Sequence, residues 1–393
     1  MESVWNYYSV VKKLLLLSGQ WPYQRKRDKW VRFTFMTAIM IPLIITQIGK
    51  YIQCDRNMQC ILKTLPSNLT SFVILVKIFT CHFNSSKIKQ LTDQLQNDWK
   101  NLEGPEEYEI MKTYAAYARL FTLALCYYFY IGAPSFAVYS LTPKLLDIVL
   151  PLNESRPTIM PHECHYFVKD DSEYFYYIFL HVFISILIFM IPVLAHDCMV
   201  LAYTQHVCSI FAIAGFRFQN LADNIDIENN NIDKDYLDKE YNEKLASAVC
   251  IHWQALQFAE LLEKTFSLSF FIQMFLIIVG MSLTLLQMVV QLNNLVEVLR
   301  YLGFFFSQLL HIFYFSLQGQ RLIDHSLQIH DKIYNCAWYK ISVRSQKMVI
   351  NILRRSLQSN IITAGKIYVF SLKSFMTVLQ SSVSYFTVLS SFQ

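Results

Sequence analysis

The chain has 393 residues, of which 54% are hydrophobic and only 16% charged, and its mean hydropathy is +0.30. Soluble domains carry about a quarter charged residues, so this balance points to a bilayer as solvent and away from an ordinary soluble protein. The net charge of +5 is spread over connecting segments and implies no nucleic-acid partner.

The N-terminal segment covers residues 1–32. Within it Val10–Leu17 (VVKKLLLL) is short, is interrupted by Lys12 and Lys13, and is followed by no small-residue cleavage pattern. It therefore predicts a short interfacial helix and not a signal peptide. A spanning helix needs ~20 mostly apolar residues. Seven stretches qualify: Phe33–Ile52, Leu65–Phe83, Tyr117–Leu141, Phe175–Tyr203, Phe266–Leu292, Tyr301–Leu317 and Ser374–Phe392. The fifth has no charge from Phe266 to Val290, whereas the second contains Lys77 and the fourth His196-Asp197. Six and eight spans are the alternative counts. The expected fold class is all-α, a polytopic membrane protein with seven transmembrane helices. Residues 33–318 hold the first six spans with a cytoplasmic loop at 212–264, residues 319–370 form a further cytoplasmic segment, and residues 371–393 the last helix.

Basic residues accumulate on the cytoplasmic side of membranes. Lys12, Lys13, Arg25, Lys26, Arg27, Lys29 and Arg32 crowd before the first span. With that end inside, only Arg56, Lys63, Lys144, Arg156, Lys169 and Arg300 of the 34 Lys and Arg fall in outer loops. The N-terminus is thus expected in the cytoplasm and the C-terminus outside. This is the inverse of a G-protein-coupled receptor, and no D-R-Y or N-P-x-x-Y motif is present. The sequon Asn153-Glu154-Ser155 falls in the long outer loop before the fourth span, which nominates Asn153 for glycosylation. Asn84-Ser85-Ser86 would face the cytoplasm, and Asn68-Leu69-Thr70 lies at a membrane edge. The acidic run Asn220–Glu243 reads as a solvated face or linker.

No C-x-x-C pair occurs among the nine cysteines, which argues against zinc. Cys54, Cys60 and Cys164 fall on the oxidising side, where two of them are available for a disulfide. P-loop, G-x-G-x-x-G, H-E-x-x-H and G-x-S-x-G signatures are all absent, so neither an enzyme nor a cofactor is expected. His162-Glu163-Cys164-His165 has no metal-ligand spacing and reads as a solvated loop. Lys77, Arg119, His181, Asp197 and His311 are ionisable residues within spans, where charge is costly and often functional. Lys77 and Arg119 lie near the cytoplasmic side and are expected to snorkel towards it. For His196-Asp197 the alternatives are a structural hydrogen bond and a functional role. Paired broken helices and internal repeats, the marks of a secondary transporter, are not seen.

The last stretch, SFMTVLQSSVSYFTVLSSFQ, is uncharged. Ser374, Thr377, Ser381, Ser384, Val388 and Ser391 follow steps of three and four, which align them on one helix face. Such a face either packs small residues against a neighbouring helix or lines a water-filled path closed by an apolar ring. Val388 is the only branched apolar residue in the stripe.

Ser384-Tyr385-Phe386-Thr387-Val388-Leu389 resembles the closing motif of insect odorant receptors. Thr363-Ala364-Gly365-Lys366-Ile367 resembles that family's stretch before the last helix, and Gly319-Gln320, Ser326, Tyr334 and Trp338-Tyr339 fall at its spacings. The resemblance is literal over about Phe304–Phe392 and topological elsewhere. It implies a subunit of a tetrameric cation channel whose last helices line one pore. Val388 would match the gate, with Ser384, Ser391 and Tyr385 beside it. The segments after the fourth and sixth spans would form a subunit anchor containing His252, Trp253, Tyr334, Trp338 and Tyr339. The chain is shorter than the family's co-receptor and lacks its long insertion between spans four and five, so it looks like an odour-tuning subunit that assembles with the co-receptor. Gustatory relatives, the alternative, end in T-Y-x5-Q-F, whereas Ser391 stands here at the Gln position.

A small apolar odorant needs a dry cavity with few polar handles. By resemblance the pocket lies among the outer halves of spans two, three, four and six. These supply Phe72 and Leu75; Ile131, Ser135 and Phe136; Tyr176, Tyr177 and Leu180; and Tyr301, Phe304 and Phe305. Aromatic residues at membrane edges also serve as belts against membrane lipids.

Overall fold

A computed structural model describes residues 4–390 except 56, 153, 155, 157, 161–163, 170–172, 223–233, 337 and 341; for 133, 136, 137, 234–237, 340, 385, 386 and 388–390 it describes the backbone alone. Among the described residues each of the seven apolar stretches lies on a helix, save Gln291 and Leu292 at the end of the fifth. The helices are α1 (Ser9–Leu17), α2 (Lys26–Gln53), α3 (Met58–Phe83), α4 (Ser85–Lys100), α5 (Pro105–Val149), α6 (Phe175–Gln219), α7 (Lys234–Val290), α8 (Leu295–Tyr334), α9 (Val343–Ser356) and α10 (Leu372–Ser390). Among the described residues α2, α3, α6, α7 and α8 are long and apolar enough to cross a membrane. The third and seventh stretches lie on α5 and α10.

α6 is the centre of the fold. Every residue from Leu194 to Phe211 is buried, as expected of a helix that is apolar all round, and α1, α4, α5, α7 and α8 pack against it. α1 is the short helix anticipated at the interface, yet Val11, Leu14 and Leu15 are buried against this bundle. Lys12 Nζ lies 5.1 Å and 5.5 Å from the ring centroids of Trp5 and Trp21, a cation–π seat for its charge.

Residues 212–264, expected as a loop, are corrected to helix on both sides of the undescribed residues: α6 runs on to Gln219 and α7 begins at Lys234. The reason is amphipathic periodicity. Tyr241, Leu245, Ala248, His252, Ala255, Phe258 and Leu262 recur at steps of three and four, and all are buried. The many charges of this segment occupy the other faces. α8 likewise continues beyond its span to Tyr334.

Between α9 and α10 a two-stranded hairpin pairs β1 (Thr363–Ala364) with β2 (Tyr368–Val369). Its turn has positive φ at both Gly365 (+61°) and Lys366 (+62°), the backbone such tight hairpin turns require. The Gly365 amide donates to the Ser267 carbonyl at 3.0 Å, docking the hairpin on α7. Phe370 then seats its backbone on Gly319 of α8: a Cβ at position 319 would lie 2.1 Å from the Phe370 carbonyl oxygen.

A second, smaller core joins α2, α3 and the start of α6 through Met40, Leu43, Ile78, Ile178, Val182 and Phe189. Outside it, Tyr127, Tyr130, Val138, Tyr176 and Tyr177 are exposed. Exposed aromatic and aliphatic groups in this density suit a lipid surface. A disulfide between Cys54 and Cys60, with Cα atoms 5.5 Å apart, ties the connection of α2 to α3; Cys164 stands outside it and is buried.

Gly319→Ala must displace the Phe370 backbone. It is expected to destabilise the detergent-solubilised protein by about 1–3 kcal/mol, read as a lowered Tm, while Ala364→Gly in the neighbouring hairpin should cost less.

Candidate functional site

Three regions carry the candidate residues. The first is a charge cluster among apolar helices, with Lys77, His196 and Asp197 buried and His311 half-buried at its edge. Lys77 on α3 is 1% exposed, which corrects the expectation that it snorkels. Its Nζ donates to Asp197 Oδ1 at 2.8 Å and Oδ2 at 2.7 Å on α6, and contacts His311 Nε2 at 2.9 Å on α8. The ammonium has only protons to offer, so His311 Nε2 accepts and its ring proton sits on Nδ1. Asp197 Oδ1 also lies 2.9 Å from His196 Nδ1. The carboxylate being an acceptor, His196 donates there, and its Nε2 is buried with no partner among the described residues. The Tyr314 hydroxyl donates to the Asp197 carbonyl at 3.1 Å.

Placing such a pair out of water costs several kcal/mol per ion, and only close pairing with further hydrogen bonds offsets it. α3 brings Lys77 to α6 for a local reason. One turn on, Thr80 donates to Ser269 Oγ at 2.8 Å, and Gln273 Nε2 donates to the same oxygen at 2.8 Å, fixing α3 against α7. Of the other ionisable residues in the apolar stretches, Arg119 is exposed. The His181 Nδ1 lies 2.6 Å from the Tyr166 hydroxyl. Thr80, Ser269, Gln273 and Tyr314 were not singled out from the sequence. Their one signal is a polar side chain one or two turns from a charged one.

The second region is α10. Its packed face is Val378 and Ser382, both buried, with Phe375 against Phe313 of α8 at 5.4 Å. Of the polar stripe, Thr377 and Ser384 are exposed and Ser374 and Ser381 half-buried. The side chains of Tyr385 and Val388 lie outside the description, as does all of Ser391.

The third region holds the nominated ligand contacts, and the structure separates them. Phe72, Ile131, Ser135, Tyr176, Tyr177 and Leu180 are exposed. Tyr301 is buried beside Arg300, whose NH2 donates to its hydroxyl at 3.0 Å, and Leu75, Phe304 and Phe305 are half-buried. The side chain of Phe136 is not described, and Asn153 lies outside the described residues. Among the anchor nominees His252 is buried between Phe211 and Phe218, Trp338 is half-buried, and Trp253, Tyr334 and Tyr339 are 58%, 63% and 66% exposed.

Residues 57–383 match the family model described as 7tm Odorant receptor. Odorant receptor Or2 of Anopheles gambiae is 32% identical over 111 residues, 28% of this chain and 29% of that protein. The odorant receptor coreceptor of Drosophila melanogaster is 33% identical over 92 residues, 23% of this chain and 18% of that protein. The aligned stretches thus span less than a third of these relatives' length. The solved insect olfactory receptor OR5 from Machilis hrabei, in complex with eugenol, superposes with a TM-score of 0.74, covering 99% of this chain and 98% of that one at 13% identity. At that identity the likeness carries the fold.

Burial, with the Arg355 charge adding to it, lowers His252 from its ordinary 6.5 to about 4. The folded state therefore holds a neutral ring. Its contribution to stability is complete above pH 6.5 and is lost as pH falls towards 4. Between about pH 7.5 and 5 the wild type should lose roughly 2 kcal/mol more than His252→Gln, measured as the difference in their Tm shifts in detergent.

Proposed function

Since the chain belongs to the 7tm odorant receptor family, a family of membrane receptors, we propose that it is an odour-tuning subunit of a ligand-gated, non-selective cation channel. It assembles with an odorant co-receptor as a heterotetramer. The observation that carries this reading is the polar face of α10 that its own chain leaves uncovered: Val378 and Ser382 pack inwards, while Thr377 and Ser384 stay exposed. Thr377 Oγ1 donates to the Lys373 carbonyl at 3.2 Å and Ser384 Oγ to the Gln380 carbonyl at 3.0 Å, so their protons are used within the helix and their oxygens stay able to accept from water or a partner. Copies of that face set round an axis supply both, and they close a conduit that no single chain can. Val388 then forms the apolar constriction, which closes by dewetting, with Ser384, Tyr385 and Ser391 beside it.

Seven spans with a cytoplasmic N-terminus and an extracellular C-terminus follow from the basic-residue bias. Asn153 is then placed for glycosylation. His252 holds the anchor layer's core, while Trp253, Tyr334, Trp338 and Tyr339 meet neighbouring subunits. The ligand is a small, volatile, largely apolar molecule of the kind that a dry cavity selects. Eugenol bound to the Machilis hrabei receptor is of that kind. Its contacts here are read as Leu75, Tyr301, Phe304 and Phe305, a reading supported by their burial, with Phe136 kept as nominated and Phe72, Ile131, Ser135, Tyr176, Tyr177 and Leu180 read as meeting membrane lipids. The site of action is the plasma membrane, as a multi-pass protein of a sensory neuron dendrite.

Odour-evoked currents are expected only when the co-receptor is co-expressed; normal currents from this chain alone would sink the obligate partnership. Val388→Ser should raise ligand-independent current in the same cells, because a hydroxyl ring wets a constriction that a valine ring keeps dry. Epitope tags stained without permeabilisation should label the C-terminus and not the N-terminus.

A further inference from the structure

The helices joined by the charge cluster also carry proposed ligand contacts. Leu75 lies two residues before Lys77 on α3, and Phe304 and Phe305 lie two turns before His311 on α8. In the other direction the cluster reaches the last helix through aromatic rings. Phe315 stands 5.0 Å from the His311 ring, 5.1 Å from Phe270 and 5.9 Å from Phe370. Lys77 Nζ lies 5.9 Å from the same Phe315 ring, within cation–π range. Phe370 is two residues from the start of α10 and rests its backbone on Gly319 of α8. The Leu372 amide, at that start, donates to Gln320 Oε1 of α8 at 3.3 Å. α10 is thereby fastened to α8 directly below the cluster.

We propose that Lys77, Asp197 and His311 form a gating latch that positions α8, and through Phe315 and Phe370 the last helix, in the closed arrangement. The inference rests on the channel reading above and adds to it the residues that hold the gate shut. His311 suits the task because a hydrogen bond tolerates few geometries: about an ångström of sliding by α8 takes its Nε2 from Lys77 and leaves one ammonium proton without that acceptor, while the ion pair holds α3 to α6. Such contacts make an interface bistable instead of gradually deformable. A ligand that displaces Phe304 and Phe305 acts on α8 two turns from His311, and its differential contact with the two arrangements sets the shift between them.

Removing one charge alone strands its partner in an apolar site, so Lys77→Met and Asp197→Leu are each expected to lose surface expression. The double variant Lys77→Met with Asp197→Leu strands no charge, though His196 and His311 lose these partners, and should reach the surface. In cells co-expressing the co-receptor, tested with eugenol and a fixed panel of volatile esters and alcohols, its ligand-independent current should rise, or its half-maximal concentration fall, by at least about fivefold. Wild-type basal current and wild-type dose response in a surface-expressed double variant would overturn the latch. Should the double variant stay inside the cell, His311→Phe, which keeps the Lys77–Asp197 pair, decides on the same readout and the same criteria. Wild-type chains giving no current with the co-receptor would sink the channel reading and the latch with it. Wild-type currents alongside unaltered variants would sink the latch alone.

Discussion

From Leu194 to Phe211 the central helix has no face left for water or lipid, and that enclosure organises the rest of the molecule. Polar groups on such a helix must find partners on whatever surrounds them, since an unpaired buried group is expensive. Asp197 is met by Lys77, Gln205 Nε2 by Gln318 Oε1 at 2.8 Å, and His206 Nε2 by Asp98 Oδ2 at 2.9 Å. Each partner belongs to a different helix, α3, α8 or α4, and each meets α6 at its own height. Together these bonds fix how far α3, α4 and α8 slide along α6. Apolar packing alone supplies affinity between helices but few registers, whereas directional bonds select one.

The residues most exposed to chance in such a design are those whose partners come from distant sequence. Helices and their order were legible because twenty apolar residues in a row have few alternatives to a span. The cluster was half legible. Lys77, His196, Asp197 and His311 stood out as ionisable groups in apolar stretches, but nothing local says that Lys77 turns inwards to α6. Its position near one end of a span made an interfacial seat the cheaper expectation. Only the packing of Thr80 against Ser269 reveals that this face of α3 is the inner one.

The extended helices beyond the spans were missed for another reason. Reading 212–264 by charge and hydropathy hides the stripe from Tyr241 to Leu262, because an amphipathic helix averages to a polar segment. Its period of three and four is plain once sought. The ligand contacts divided for a third reason. Aromatic residues suit both a lipid belt and a dry cavity, so composition placed Tyr176 and Tyr301 together, while burial separates them. The stripe on the last helix was legible as a face.

The length of α7 has a mechanical consequence. Its 57 residues make a rod of about 85 Å, nearly three times the thickness of a bilayer's hydrocarbon core of ~30 Å. For a rod that long, a rigid tilt of about 3° moves one end relative to the other by roughly 4 Å. The hairpin is docked at Ser267, near the middle, so α7 acts as a lever with its fulcrum beside the root of the last helix. Angular play in the charge-rich helical layer is thereby passed to the opposite end of the molecule in the reverse sense and over a shorter arm, with no need for any helix to unfold.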